Sequence, residues 1–337
     1  MKSKIIAVSS YLPEYILTNE ELARDNPEWS VNKIYDKTGI STRHIAAEAE
    51  SCSDMAVAAC ENLLKEYSVN RADIDYVLLC TQSPDFKLPT TACIVQERLG
   101  LKNSCGALDF NLGCSGYIYG LSLAKGLIET NQAKNILLVT SELYSRYIAK
   151  EDKSVRTLFG DAATATLISC SNSNEDKIGP FVFGTDGAGK DNLIVPHGGA
   201  KYPFDASSDV LEQDSSGNYR APKNLFMDGG EIFTFTLKTV PKSVDALLEL
   251  AGFEREQIDH VIFHQANKFM LEQLRKKCKF NDEKFLTSYE FFGNTVSSTI
   301  PLGINEAIKA DKFNPGDKIM LVGFGVGYSW AGTIITW

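Results

Sequence analysis

Cys114 has the sequence context of a nucleophile. ALDFNLG before it suits a buried strand, and SGYIYGLSLAKGLIE after it has the periodicity of an amphipathic helix. Gly113 and Gly116 allow a sharp strand-to-helix turn that exposes the residue between them. A thiol at a helix N-terminus faces unpaired backbone N–H groups and the positive end of the dipole, which favour the thiolate. The plain alternative is a small buried hydrophobe, and that is the expectation for the other seven cysteines.

His264 is one of four histidines; it ends DHVIFH and opens the turn QAN. That strand-end position makes it a candidate proton-handling partner for Cys114. His260 and His264 have the i, i+4 spacing of a helical metal pair, but Val-Ile-Phe between them predicts a strand. On a strand they lie about 13 Å apart, too far to share a zinc ion, so no metal site is expected and His260 is expected to be an ordinary core histidine. Asn294, in FFGNTVSSTIP, follows an apolar segment and precedes a helix. A Gly-Asn pair by itself is most often a turn; beside a cysteine and a histidine it adds a second hydrogen-bond donor.

Two glycine-rich stretches imitate nucleotide sites. GTDGAGKD (184–191) matches a phosphate loop through its lysine, but Asp191 stands where a Ser or Thr is required. GFGVG (323–327) lacks the spacing of a dinucleotide fingerprint and lies too near the last residue of the sequence for a βαβ unit. Close backbone approach to a ligand or to another part of the chain explains these glycines better.

The elements that must bring these residues together are written twice. IDYVLLC (74–80) resembles IDHVIFH (258–264), an offset of 184, and KNILLV (134–139) resembles DKIMLV (317–322), an offset of 183. Gly120 and Gly303 pair at the second offset, which sets Cys114 opposite Ser297, while the first sets Cys80 opposite His264. Apolar strands alternating with amphipathic helices predict a duplicated α/β fold with helices covering the sheets. The halves are expected at 1–175 and 176–337, joined near the polar run SNSNED. The strand ends carrying Cys114, His264 and Asn294 can then converge where the halves meet. Residues 197–225, rich in Gly, Pro, Ser, Asp and Asn, have no counterpart and read as a surface insertion.

Composition closes other routes. Of 337 residues, 44% are hydrophobic and 23% charged, the balance of a globular protein. With a net charge of −9 the chain lacks the electrostatics of a nucleic-acid binder. Eight cysteines without a C-x-x-C pair give no disulfide scaffold. Ile319 to Trp337 carries no charge, yet its four glycines and β-branched residues predict two buried strands around a glycine turn, not a membrane span. The N-terminus has no convincing signal sequence, so a cytoplasmic protein is expected.

Taken together, GCSGYIYGL, FHQAN, GNTVSSTIP and GFGVGYSWAG closely resemble β-ketoacyl-acyl-carrier-protein synthase III, of the thiolase superfamily. KTGISTRHIA, LPTTACIVQERLG and LFGDAATATLI extend the resemblance almost end to end. It implies a thiolase-like five-layered αβαβα fold and a homodimer. It also implies Cys114 as acyl acceptor, His264 and Asn294 as the decarboxylation pair, and backbone N–H groups of Cys114 and Val326 as the oxyanion hole. Acyl-CoA and malonyl-acyl-carrier protein would be substrates, with no cofactor. Alternatives within the fold are transfer of the acyl group to a hydroxyl or amine, or an inactive carrier-binding scaffold.

The sequence departs from the family pattern at several places. Extra residues lie between Trp29 and Lys37, in the region where the family binds coenzyme A. Lys37 and Lys153 stand where arginine is common, which keeps the charge but loses the bidentate fork. Phe269 replaces a carrier-docking arginine, with Lys268 adjacent, and Lys276 and Lys277 are further carrier-docking candidates in a basic cluster. Val326 occupies a usual glycine, and Leu88 a usual Phe at the partner-supplied wall of the acyl pocket.

Overall fold

Two mixed sheets frame the protein in the computed structural model, which describes residues 1–171 and 175–337. The first contains β1 (Lys2–Tyr11), β2 (Tyr76–Cys80), β3 (Gly106–Phe110), β4 (Asn135–Glu142) and β5 (Ala162–Ser171), in the order β1-β5-β4-β2-β3. The second contains β6 (Ile178–Thr185), β7 (His260–Phe263), β8 (Lys318–Gly325) and β9 (Ser329–Thr336), in the order β6-β9-β8-β7. Orientations repeat as well. β2 is parallel to β4, as β7 is to β8, and the remaining pairs of the common four-strand unit are antiparallel. β3 runs parallel to β2, and a single parallel bridge from Val261 to Phe285 stands at the matching edge of the second sheet. The SNSNED junction runs through 172–174, which lie outside the described residues.

Alternation along the strands explains the layers. In β4, Ile136 and Leu138 point to one face while Leu137 and Val139 point to the other. In β8, Ile319 and Leu321 share the first of these environments, and Met320, Val322 and Phe324 face away from it. The five longest helices cover these faces, with the shorter Thr91–Arg98 beside the first: α1 (Cys52–Glu66), α2 (Gly116–Glu129), α3 (Gly229–Ala251), α4 (Lys268–Lys277) and α5 (Thr299–Lys309). α2 and α5 lie between the sheets, because their buried Tyr117, Leu121, Ile300 and Ile304 join one core with residues of both. α1 covers the outer face of the first sheet, and α3 with α4 covers that of the second. This is the five-layered αβαβα arrangement. Strands buried on both faces are apolar at nearly every position, which is why they read as runs in the sequence. Truncating a fully buried residue such as Leu138 to Ala costs about 2–5 kcal/mol.

The uncharged segment from Ile319 forms most of β8 and all of β9, paired antiparallel. No helix among the described residues is long and apolar enough to cross a membrane. The 197–225 segment leaves from a short pair of strands, Leu193–Ile194 with Phe226–Met227, and holds a two-residue ribbon, Glu212–Gln213 with Tyr219–Arg220. Arg220 ties it to the body by donating to the buried Asp152 at 2.9 Å.

Candidate active site

Cys114 follows β3 and immediately precedes Ser115, the N-cap of α2. The flanking glycines serve packing rather than an unusual backbone turn. A Cβ on Gly113 would meet Gln82 Oε1 at 2.6 Å, and one on Gly116 would meet Cys80 Sγ at 2.3 Å. Cys114 is only 4% exposed, so the turn sets it at the base of a cavity rather than on the surface. That burial reverses the expected electrostatics: it pushes the thiol up to about 12, and the Glu142 carboxylate adds to the rise. Backbone N–H groups of Val326 and of Cys114 itself point at the sulfur and oppose the shift without overcoming it. The resting group is a thiol.

The second half reaches Cys114 through the end of β8. A Cβ on Gly323 would lie 2.6 Å from the Cys114 carbonyl oxygen, and one on Gly325 would lie 2.7 Å from Sγ. These glycines therefore permit close approach to the other half.

His264 extends β7 by one residue, its N–H donating to Val322 O at 2.8 Å. Gln265 holds the chain past it, donating from Nε2 to Phe263 O, and Asn267 caps α4 by accepting from Met270 N. The imidazole is 2% exposed, its plane nearly perpendicular to that of Phe324, and its Nδ1 lies 2.8 Å from Thr299 Oγ1. Burial pushes its pKa down to about 3, against the raising effect of the Val296 carbonyl, so the ring is neutral near pH 7. With Nδ1 engaged, Nε2 is the nitrogen left for a substrate.

Asn294 is clamped by the first half. Its N–H donates to Leu158 O and its carbonyl accepts from Gly160 N, at 2.8 and 3.1 Å. Gly293 makes this possible: it has φ +68°, and a Cβ there would fall 2.6 Å from Leu158 O. Val296, β-branched, is held at φ 56°, an uncommon conformation that concentrates at functional sites. In that conformation its N–H donates to Asn294 Oδ1 at 3.0 Å, which leaves the amide Nδ2 as the free donor.

Cys114, His264 and Asn294 line one cavity of about 260 Å³. Its remaining wall is largely apolar, with Phe159, Leu193, Ile232, Met270 and Phe324. A thiol, a neutral imidazole and an amide donor in a largely apolar pocket suit attack on a thioester and stabilisation of a developing oxyanion. Leu193 also lines a second cavity of about 790 Å³, with Val326, Tyr144, Tyr147 and Leu225. The Tyr144 hydroxyl donates to Gln82 Oε1 there.

The other candidates divide by position. Lys153 begins the short helix beside pocket-lining Ser154, with Nζ 5.8 Å from the Trp29 ring centroid. Trp29 is 5% exposed and packs with Leu17, Leu22 and Ile34, so it supports Lys153 more than it offers a free face. Lys37 is exposed on the helix Val31–Thr38, whose C-cap Gly39 abuts Lys268 at the start of α4. Lys276 and Lys277 are not at the pocket. They sit at the far end of α4, about 12 Å along its axis from Lys268. Lys277 donates to Leu237 O beside a separate cavity. Leu88 is 82% exposed and lines neither central cavity of its own chain.

Glu142 was not anticipated from the sequence. It is fully buried near Cys114 and accepts from Gln82 N–H at 3.0 Å and from the Ser297 hydroxyl at 2.6 Å. Burial pushes it up to about 8, the hydrogen bonds from Ser297, Gln82 and Ser83 opposing. The signal available was an acidic residue closing the apolar strand NILLVTSE, together with Ser297 standing opposite Cys114 in the duplication. His260 lies at the far end of β7, its Nε2 3.4 Å from Asp317. No group of three or more His, Cys, Asp or Glu suited to hold a metal occurs among the described residues.

Comparison with known proteins shows the family. Residues 108–187 match the family described as 3-oxoacyl-[acyl-carrier-protein (ACP)] synthase III, and residues 248–337 match its C-terminal counterpart. A β-ketoacyl-[acyl-carrier-protein] synthase III of Caldanaerobacter subterraneus subsp. tengcongensis is 35% identical over 336 residues, 99% of this chain and 97% of that protein. The chain belongs to the β-ketoacyl-acyl-carrier-protein synthase III family. A similar crystal structure, of a 3-oxoacyl-(acyl-carrier-protein) synthase III, superposes with a TM-score of 0.98 at 49% identity, covering all of both chains. That of a 3-oxoacyl-(acyl-carrier protein) synthase from Burkholderia xenovorans LB400 gives 0.91 at 38% identity, covering 100% of this chain and 94% of that one. Both family matches include candidate residues: Cys114 falls in the first, His264 and Asn294 in the second.

Proposed function

We propose that this chain catalyses the decarboxylative condensation of an acyl-CoA primer with malonyl-acyl-carrier protein, giving a β-ketoacyl-carrier protein in fatty acid biosynthesis. The observation that carries this reading is the convergence of Cys114, His264 and Asn294 on one apolar cavity. In the first half-reaction the Cys114 proton passes to His264 Nε2 as sulfur attacks the acyl-CoA carbonyl. The N–H groups of Cys114 and Val326, now aimed at the sulfur, are near enough to receive the oxyanion. Coenzyme A leaves as a protonated thiol. In the second, malonyl-carrier protein loses CO₂, and donors from Asn294 Nδ2 and His264 Nε2 hold the enolate oxygen. The enolate carbon attacks the Cys114 thioester and expels the thiolate, which regains a proton.

The larger cavity beside Val326 supports a chamber for the primer's acyl group. Lys37, Lys153 and Lys268 supply positive charge for coenzyme A or carrier phosphate, with Trp29 backing Lys153. A homodimer is part of the proposal: Phe86 and Leu88 are exposed on one loop, and β3, with Leu108 40% exposed, is a sheet edge. The partner's copy of this loop would complete the acyl chamber. The substrates are soluble and no cofactor takes part, which fits a cytoplasmic enzyme.

The test is CO₂ release from malonyl-carrier protein in the presence of acyl-CoA. Wild-type protein should release CO₂ with β-ketoacyl-carrier formation, and Cys114→Ala should form no condensation product. Transfer of the acyl group to an alcohol or amine without CO₂ would refute the reading.

A further inference from the structure

Residues 197–225 have no counterpart in the first half, yet they reach two parts of the site. His197, Phe204 and Lys223 wall the larger cavity. Farther along, the ribbon of Glu212–Gln213 and Tyr219–Arg220 grips the start of the short helix Lys153–Arg156. Arg220 Nε donates to Asp152 Oδ2 at 2.9 Å, and Asn218 Oδ1 accepts from Lys153 N–H at 3.2 Å.

Asp152 joins the segment to the helix. It is fully buried, and its Oδ1 accepts from the N–H and the hydroxyl of Ser154 at 2.9 and 2.5 Å while Oδ2 takes the guanidinium. Arg220 is held in turn. A second nitrogen donates to Asp214, whose carboxylate also accepts from Asn218 N–H at 2.9 Å, and the guanidinium carbon lies 5.0 Å from the Phe226 ring centroid. A planar fork can join two carboxylates in this way, where an ammonium could not reproduce the geometry. The far end of the helix has its own anchor, Arg156 to Asp25 at 2.8 Å. The end carrying Lys153 and the pocket-lining Ser154 depends on Asp152 and Asn218. Removing the guanidinium leaves a buried carboxylate uncompensated. Asp152 would then turn toward water or take a proton, and its hold on Ser154 and Lys153 would loosen.

We infer that Arg220 is a positioning residue for the acyl donor: through Asp152 it holds Lys153 where its ammonium meets a phosphate of coenzyme A. This inference rests on the phosphate role given to Lys153 above. Arg220 lines neither central cavity, so its loss changes how much acyl-CoA is needed and not the reaction at Cys114.

The test compares one acyl group carried by coenzyme A and by pantetheine, which has the same thiol arm but no phosphate. The acyl group is whichever of acetyl, butyryl and hexanoyl acylates Cys114 fastest from its CoA thioester. Arg220→Gln should raise the acyl-CoA concentration that half-saturates adduct formation about 10-fold, the usual loss of a charge-assisted hydrogen bond, with the saturated rate kept. Acyl-pantetheine should show no such rise. Lys153→Gln should raise the acyl-CoA requirement by a similar factor, and the double variant no further, because the two residues act as one. Asn218→Ala removes only the acceptor of Lys153 N–H and should give a smaller rise of the same kind, which serves if Arg220→Gln does not fold. A rise shared equally by both thioesters, no rise at all, or additive effects in the double variant would overturn the inference. Lys153→Gln that needs no more acyl-CoA than wild type would instead overturn the phosphate role on which it rests. Wild-type protein acylated by neither thioester would overturn the condensing function itself.

Discussion

Asn294 separates the two half-reactions most cleanly, because its two amide atoms have different partners. Oδ1 accepts from Val296 N–H at 3.0 Å, and Nδ2 is left for substrate. Asn294→Ala removes both. Losing one preorganised oxyanion donor typically lowers kcat by about 10²–10³, or about 2.7–4 kcal/mol. Leaving the buried Val296 N–H without its acceptor costs a further ~1–3 kcal/mol of stability. Asn294→Asp keeps an acceptor for Val296 but sets a carboxylate where the enolate charge develops. Decarboxylation should therefore fall at least as far in the Asp variant as in the Ala variant, while both lose stability, Ala through the missing acceptor and Asp through its buried carboxylate. Both should still form the Cys114 adduct at a rate comparable to wild type, since the acyl oxyanion is held by backbone groups. The assay pairs CO₂ release from malonyl-carrier protein with adduct formation by intact mass, and urea midpoints report stability. An Asp variant that decarboxylates at the wild-type rate would refute the donor role. So would folded variants that lose both steps equally.

Three further outcomes follow from the same geometry. Gly325→Ala sets a methyl 2.7 Å from Cys114 Sγ; overpacking of this kind costs about 1–3 kcal/mol, and adduct formation should slow as the sulfur is displaced. An adduct rate equal to wild type would contradict the close approach. Glu142 holds its proton more tightly folded (about 8) than its ordinary 4.5, so native protein binds more protons across that interval and stability falls as pH rises through it. His264, depressed from 6.5 to about 3, acts oppositely but only below pH 6.5, so just above 6.5 Glu142 supplies a falling slope of at most ~1.4 kcal/mol per pH unit, joined toward pH 8 by the buried thiols that the fold holds above their ordinary value. Glu142→Gln should make urea midpoints less dependent on pH between about 6.5 and 7.5, and an unchanged slope there would assign it elsewhere. Lys268→Glu should raise the KM for carrier substrate, with the effect reduced by salt, whereas Lys276→Glu should not; the reverse result would move the docking face to the far end of α4.

Much of this architecture was legible in the sequence because duplication constrains it twice. The IDYVLLC and IDHVIFH copies became β2 and β7, with matching neighbours, and the apolar runs reflect sheets covered on both faces. Cys114, His264 and Asn294 were legible because each occupies an abrupt change from strand to helix or turn. Their electrostatics were not. The dipole argument for a Cys114 thiolate is local, but burial by Phe324, Ile232 and the other half is a tertiary effect that no spacing encodes. Lys276 and Lys277 lie farther from His264 than their place in the sequence suggests, because α4 carries them about 12 Å along its axis from Lys268. Trp29 looked available because its packing against Leu17, Leu22 and Ile34 depends on contacts between separate elements. Glu142 and Thr299 were missed for the same reason: their partners, Ser297 and His264, are 155 and 35 residues away.

The central claim is that Cys114 carries an acyl group which malonyl-carrier protein then discharges. A single pulse-chase measurement by intact mass tests it. Incubation with acyl-CoA should add one acyl group per chain, absent in Cys114→Ala. Addition of malonyl-carrier protein should return the chain to its starting mass as a carrier product appears bearing the acyl group extended by two carbons. An adduct that persists in Cys114→Ala, or one that malonyl-carrier protein leaves in place, would contradict the account.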